Sequence, residues 1–332
     1  MTLGRPYALF VGDAKDHLAA KTALGVLTWR RSWCCAQIRF PDCRASLDLP
    51  EMSVAEAAQA GAKTLIVGLA NAGGVMPERW LATFEAALAA GLDIASGLHD
   101  RLSDQPRLLA AAQRHGRRLI DVRQPAVRFA VGTGAPRSGR RLLTVGTDCS
   151  IGKMYTSLAI EQELRRRGRP ADFRATGQTG IFIAGDGACV DAVIADFMSG
   201  CIEWLTPAND PEHWDVIEGQ GSLFHPSFAG VSLGLLHGAQ AQALVMCHEP
   251  TRTHMRGLPA WPLPDIARCI AANEEAARLT SPEARCIGVA VNTSALPRAE
   301  AERCLRELEG RLRLPCVDPL IDGAGRLVDA LP

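Results

Sequence analysis

The chain lacks net charge: its 36 lysines and arginines balance 36 aspartates and glutamates over 332 residues. Nothing in that balance asks for nucleic acid or an anionic membrane as a partner. No apolar run reaches membrane-spanning length. The N-terminus (MTLGRPYALFVGD) enters a strand-like segment without a signal-peptide layout, so a cytoplasmic protein is expected. Paired metal spacing is missing too. The eleven cysteines are scattered, and Cys34 and Cys35 are adjacent, which is poor geometry for a bridge. They read as reduced, mostly buried thiols. No His-Glu zinc spacing appears, and no metal site is expected. Internal repeats and low-complexity tracts are absent as well.

What the chain does have is length for two domains, each able to bury a core. Strand and helix signals alternate throughout. Tyr7–Val11, Cys34–Phe40, Lys63–Leu69, Leu92–Ser96 and Arg118–Val122 read as strands, with a small-residue turn, NAGG, at 71–74. Helices are expected over Pro77–Ala90, closed by Gly91, and near Gln105–His115. The Pro-, Gly- and Arg-rich stretch Arg123–Arg140 reads as a connection. The alternation then restarts. It gives strands ending at Val145 and over Ala171–Ala175, Trp214–Ile217, Ala243–Cys247 and Cys286–Val291, with helices from Gly152 and over Cys189–Met198, Asp265–Leu279 and Pro297–Leu312. The fold class is α/β: a Rossmann-like open-sheet domain over 1–135, followed by a P-loop NTPase-like three-layer α/β/α domain over 136–332.

The segment Gly146, Thr147, Asp148, Cys149, Ser150, Ile151, Gly152, Lys153, Met154 carries the strongest chemical signal. It lies between an apolar strand and a helical run. Successive N–H groups and the positive end of a helix dipole converge there, and Lys153 adds a full charge. That is a polyphosphate seat with two departures from the usual pattern. Thr147 stands where the first glycine belongs, and Met154 replaces the Ser or Thr that would put a hydroxyl on Mg²⁺. A thioether is a weak ligand for a hard cation, so the residues favour a pyrophosphate that is held but not cleaved.

Other candidates sit at strand ends. Glu218, in WDVIEGQGS, is placed to face the phosphates as a metal or water partner or a general base, and Gly219 and Gly221 let backbone come close. In ATGQTG, Gln178 and Thr179 are candidates to orient a carbonyl or phosphate. Of Asp186, Asp191 and Asp196, which follow, one is a candidate base and the others read as caps or solvated charges. The run CHEPTRTHMRG offers Arg252 and Arg256, whose guanidiniums suit a dicarboxylate or a phosphate. The imidazoles of His248 and His254 in that run are candidates for proton transfer, His225 and His237 read as structural, and Asn292 is a candidate for reading a purine edge.

GTDCSIGKM together with EGQGS resembles dethiobiotin synthetase and its relatives. A closer resemblance spans nearly the whole chain through ADFRATGQTGIFIAGDG (Ala171–Gly187), DAVIADFMSG (Asp191–Gly200), EGQGSLFHP (Glu218–Pro226) and CHEPTR. These motifs look like a P-loop family, formerly of unknown function, that includes the D-glutamate N-acetyltransferase of bacterial D-glutamate catabolism. The resemblance implies acetyl-CoA as co-substrate and D-glutamate as acceptor, with the CoA pyrophosphate on the loop. The amine then needs a base, for which Glu218, Asp191 and His225 are the candidates in that order. Backbone amides or Gln178 would hold the oxyanion. Arg174, Arg252 or Arg256 would pair with the acceptor carboxylates. Small-molecule substrates and a homo-oligomer are expected, with the N-terminal domain a substrate wall or dimer surface. Two rivals stand beside this reading: an ATP- and Mg²⁺-dependent carboxylate-activating ligase resembling dethiobiotin synthetase, and a non-catalytic nucleotide switch.

Overall fold

The computed structural model describes residues 3–17, 19–69, 76–124 and 127–332; the 71–74 turn expected above lies outside them. Two compact units emerge, Met1–Ala126 with Gly177–Ala192, and Val127–Thr176 with Val193–Pro332.

The first unit is a five-stranded parallel sheet of order β2-β1-β3-β4-β5. Its strands are β1 (Tyr7–Gly12), β2 (Cys34–Arg39), β3 (Thr64–Val67), β4 (Asp93–Ser96) and β5 (Leu119–Asp121). Its helices are α1 (Lys21–Arg30), α2 (Val54–Gln59), α3 (Glu78–Ala89) and α4 (Pro106–His115). Local chemistry fixes the ends. Ser53 and Glu56 form a reciprocal capping box on α2, and α4 starts on Pro106 and stops at left-handed Gly116. An aromatic cluster fills the core. Phe10 meets Phe40, Trp80 and Phe84 edge-on at 5.7, 5.4 and 5.0 Å.

The second unit carries a six-stranded parallel sheet of order β13-β12-β9-β6-β8-β7. Strand β6 (Arg140–Gly146) leads through the phosphate loop into α5 (Lys153–Arg166), and β7 (Ala171–Arg174) follows. The chain then enters the first unit as α6 (Gln178–Ala184), which packs on α1, before returning as α7 (Ala195–Leu205). Next come β8 (Trp214–Ile217), α8 (Ala229–Ala239), β9 (Ala243–His248) and an antiparallel hairpin of β10 (His254–Met255) and β11 (Leu258–Pro262). The unit ends with α9 (Ile266–Arg278), β12 (Arg285–Val291), α10 (Arg298–Leu312), β13 (Cys316–Val317) and α11 (Gly325–Asp329). The helix expected over Cys189–Met198 is two pieces. A short 3-10 turn at Val190–Ala192 precedes α7, because Ile194 adopts an extended ψ of 136° that no continuous helix accepts. Both sheets are all-parallel with helical crossovers, as expected of α/β units.

Candidate active site

Strand β6 sits in the interior of its sheet, between β8 and β9, so the loop that leaves it opens at the C-terminal edge where α/β proteins place ligands. Thr147 still pairs with the sheet, its N–H donating to the Cys247 carbonyl at 3.1 Å, and its hydroxyl lies 3.1 Å from His248 Nδ1. Burial pushes the His248 imidazole down to about 4.

Beyond Thr147 the backbone is organised around Asp148, which is fully buried. Its Oδ1 accepts from the Cys149 N–H at 2.7 Å, and its Oδ2 accepts from Arg252 Nη1 and the Arg256 N–H, both at 2.8 Å. Its carbonyl accepts from Lys153 Nζ at 2.7 Å. Lys153 is buried, and desolvation lowers its pKa. The Cys149 thiol is shifted the other way, raised by burial against the lowering influence of Lys153. Ser150 and Gly152 hold φ values of 52° and 103°, the left-handed turns that make a concave nest. Among the described residues, no acceptor meets the N–H groups of Ser150, Ile151, Gly152, Lys153 or Met154. Orphaned amides at a helix start are the anion-binding signature.

The turn after β8 forms the neighbouring wall. Glu218 is buried; its Oε2 accepts the Thr176 N–H at 2.9 Å and its carbonyl accepts the Thr176 hydroxyl at 2.6 Å. Gly219 donates to Thr144 Oγ1 at 2.9 Å, and a Cβ at this position would stand 1.7 Å from the Thr144 carbonyl oxygen and 3.1 Å from Lys153 Cδ. Glycine is therefore required, and it brings the Glu218 turn against the phosphate-loop lysine. His225 is buried and stacks on Phe228 at 4.5 Å. Its Nδ1 accepts from the Ser227 N–H at 3.2 Å while Nε2 faces the Arg256 carbonyl at 3.2 Å. Those partners place the proton on Nε2 and engage the Nδ1 lone pair with the Ser227 N–H.

Ligand atoms of Asp148, Cys149 and His225 lie within 4.8 Å of one another. Each Asp148 oxygen already accepts a hydrogen bond, and Lys153 and Arg252 donate to the same loop. We read the cluster as part of an anion seat.

Arg252 binds the phosphate loop itself, at Asp148, the Cys149 carbonyl (2.6 Å) and the Ser150 carbonyl (3.2 Å), and it also pairs with Glu249 (2.6 Å). Arg256 contributes its amide to Asp148 while its residue is exposed. Arg174 is held by Asp215 at 2.7 Å and Asp172 at 3.6 Å, both strand residues of β7 and β8. Asn292 caps Ser294 through Oδ1 at 3.2 Å. Asp191, Gln178 and Thr179 belong to the first unit and bond there. Asp191 pairs with Arg123 at 2.5 Å, and Thr179 faces Thr22 at 3.3 Å. The Gln178 amide meets the Gly97 carbonyl and Arg123. Sequence reasoning missed Asp148 as the hub, Glu249 as the partner of Arg252, and Thr176 as the partner of Glu218. The signal available for Asp148 was its position between Thr147 and Cys149, inside a loop otherwise built of small residues.

Comparison with known proteins agrees with this architecture. A family model described as a domain of unknown function, DUF1611_C, P-loop domain, matches residues 128–328. Its companion, DUF1611_N, Rossmann-like domain, matches residues 39–125. A protein of Tritonibacter scottomollicae named D-glutamate N-acetyltransferase is 53% identical over 326 residues, covering 98% of each chain. One of the same name from a Pseudoalteromonas species is 48% identical over 328 residues, covering 99% of each. The crystal structure of a DUF1611 family protein from Anabaena variabilis superposes with a TM-score of 0.88 at 32% identity, over 98% of this chain and 99% of that one. No helix among the described residues is long and apolar enough to cross a membrane. A Rossmann-like domain followed by a P-loop domain, matched over nearly its whole length, makes this chain a member of the DUF1611 family.

Proposed function

We propose that this protein is an N-acetyltransferase that moves an acetyl group from acetyl-CoA to the α-amine of D-glutamate. The observation that carries the reading is the run of acceptor-free N–H groups from Ser150 to Met154 around Lys153, in a chain 53% identical over its length to a D-glutamate N-acetyltransferase. Coenzyme A contains a diphosphate, and amides at a helix start bind one without having to cleave it. Met154 offers no hydroxyl for a hard metal ion, which suits anchoring better than phosphoryl transfer.

The chemistry then needs a base and an oxyanion partner. The acceptor ammonium must shed a proton before its nitrogen attacks the thioester carbonyl. Glu218, buried at the end of β8, is the group of this unit best suited to that task, and His225 is the alternative, serving once its Nδ1 is released from the Ser227 N–H. The tetrahedral intermediate collapses with expulsion of the CoA thiolate. A backbone N–H aimed at the developing oxyanion stabilises it. The acceptor's carboxylates call for a guanidinium, and Arg256, exposed beside the loop, supplies one.

The deciding assay follows thiol release from acetyl-CoA against D- and L-amino acids, with and without ATP. Thiol release with D-glutamate and no ATP is the expected result. ADP release without acetyl transfer would instead place the protein among carboxylate-activating ligases.

A further inference from the structure

Arg252 was a candidate partner for the acceptor, yet four of its donor contacts are spent elsewhere. Nη1 binds Asp148 Oδ2 and the Cys149 carbonyl, and Nη2 binds the Ser150 carbonyl and Glu249 Oε2, over 2.6 to 3.2 Å. Its side chain is only 19% exposed. Two of those acceptors are consecutive carbonyls of the phosphate loop.

Peptide planarity gives that contact a consequence. In each trans peptide the carbonyl and the following N–H point in opposite directions. Drawing the Cys149 and Ser150 carbonyls onto one guanidinium therefore aims the Ser150 and Ile151 N–H groups the other way, and both of those amides lack an acceptor. Ser150 has φ of 52°, a left-handed conformation that a non-glycine residue holds at a cost. The fork restrains it from the carbonyl side. Lys153 does the same for the Asp148 carbonyl. A divalent ion has no hydroxyl to hold it at Met154, and Asp148 is occupied by Arg252 and two amides.

The geometry points to Arg252 as a positioning residue for the donor: a planar clamp that presets the amide nest for a diphosphate, and not a contact for the acceptor's carboxylates. This inference rests on the donor reading above and deepens it. What matters is the two-pronged shape as much as the charge, since an ammonium cannot span two carbonyls in fixed geometry.

The test measures binding of CoA and of inorganic pyrophosphate by calorimetry in EDTA, and the KM for D-glutamate, in the wild type, Arg252→Lys, Arg252→Ala and Lys153→Ala. Arg252→Lys is expected to weaken both ligands roughly tenfold or more, close to Arg252→Ala, with the acceptor KM unchanged. The proposal is overturned if Arg252→Lys retains wild-type donor affinity, or if its defect falls on the acceptor KM alone. Should Arg252→Ala fail to fold, Arg252→Lys still decides. CoA affinity indifferent to Lys153→Ala would remove the donor reading itself. Affinity lost in Lys153→Ala but kept in Arg252→Lys would remove only the clamp.

Discussion

The two parallel sheets finish their strands differently. In the first unit, the polar groups described at the C-terminal edge are consumed locally. Asp121 accepts from the Leu102 and Ser103 amides and the Ser103 hydroxyl at 2.7, 3.2 and 2.8 Å, Ser96 Oγ accepts the Leu98 N–H at 3.1 Å, and Asp13 takes Trp80 Nε1 at 3.0 Å. In the second unit, the carbonyls leaving β6 are satisfied by Lys153 and Arg252 while the amides beside them are left over. Among the described residues, the same architecture satisfies itself at the strand ends of the first unit and leaves backbone donors over at those of the second. Unpaired backbone groups cost stability, and a fold retains them where a ligand completes the set.

Substitutions that add one methyl group should break the contrast most sharply. Gly219→Ala would drive a Cβ to 1.7 Å from the Thr144 carbonyl oxygen. It is expected to destabilise by more than about 3 kcal/mol in denaturant unfolding. Gly61→Ala in the first unit meets nothing within 4 Å and only a φ of 94° opposes it, so about 1 kcal/mol is expected. Equal losses would show that the Glu218 turn is no tighter than an ordinary surface turn.

Exchange of one strand-end acid in each unit comes next. Glu218→Gln should lower turnover about a hundredfold while leaving the melting temperature nearly unchanged. Asp121→Asn should do the reverse, costing about 1–2 kcal/mol of stability with the turnover of folded molecules intact. Near-normal turnover in Glu218→Gln would pass the base to His225.

The smallest effect is a pH dependence. His248 titrates near 4 in the folded protein because of burial, against 6.5 as its ordinary value. Between those values the unfolded chain binds the extra proton, so stability falls as pH drops through this window. About 1 kcal/mol should be lost between pH 7 and pH 5.5. Denaturant titrations of wild type and His248→Gln check it: the variant should lose that component of the slope, and an unchanged slope would assign the effect elsewhere.

Much of this layout was legible in the chain. Apolar runs flanked by glycine fixed the central strands within a residue or two, as Tyr7–Val11 and Trp214–Ile217 show against the observed Tyr7–Gly12 and Trp214–Ile217. The phosphate loop was readable because strand, small residues and helix occur in one contiguous stretch. What stayed hidden depends on distant partners. Arg252 reads as a free cation in CHEPTR, since its contacts with Asp148 and Ser150 reach across 104 and 102 residues of chain. The loop reading of ATGQTG missed α6, a seven-residue helix carrying a glycine at its third position, too short for periodicity to announce. The break at Ile194 had no proline or glycine to mark it.

That short helix bears on how the protein can be divided. The backbone leaves the P-loop unit after Thr176, contributes Gly177–Ala192 to the other body, and comes back at Val193. A gene fragment cut between the two large portions would strip α1 of its neighbour α6 and leave the remaining piece with sixteen residues folded for a partner no longer attached. Fusion or truncation experiments on this enzyme family would therefore do better to keep the polypeptide whole and disable one half by point substitution.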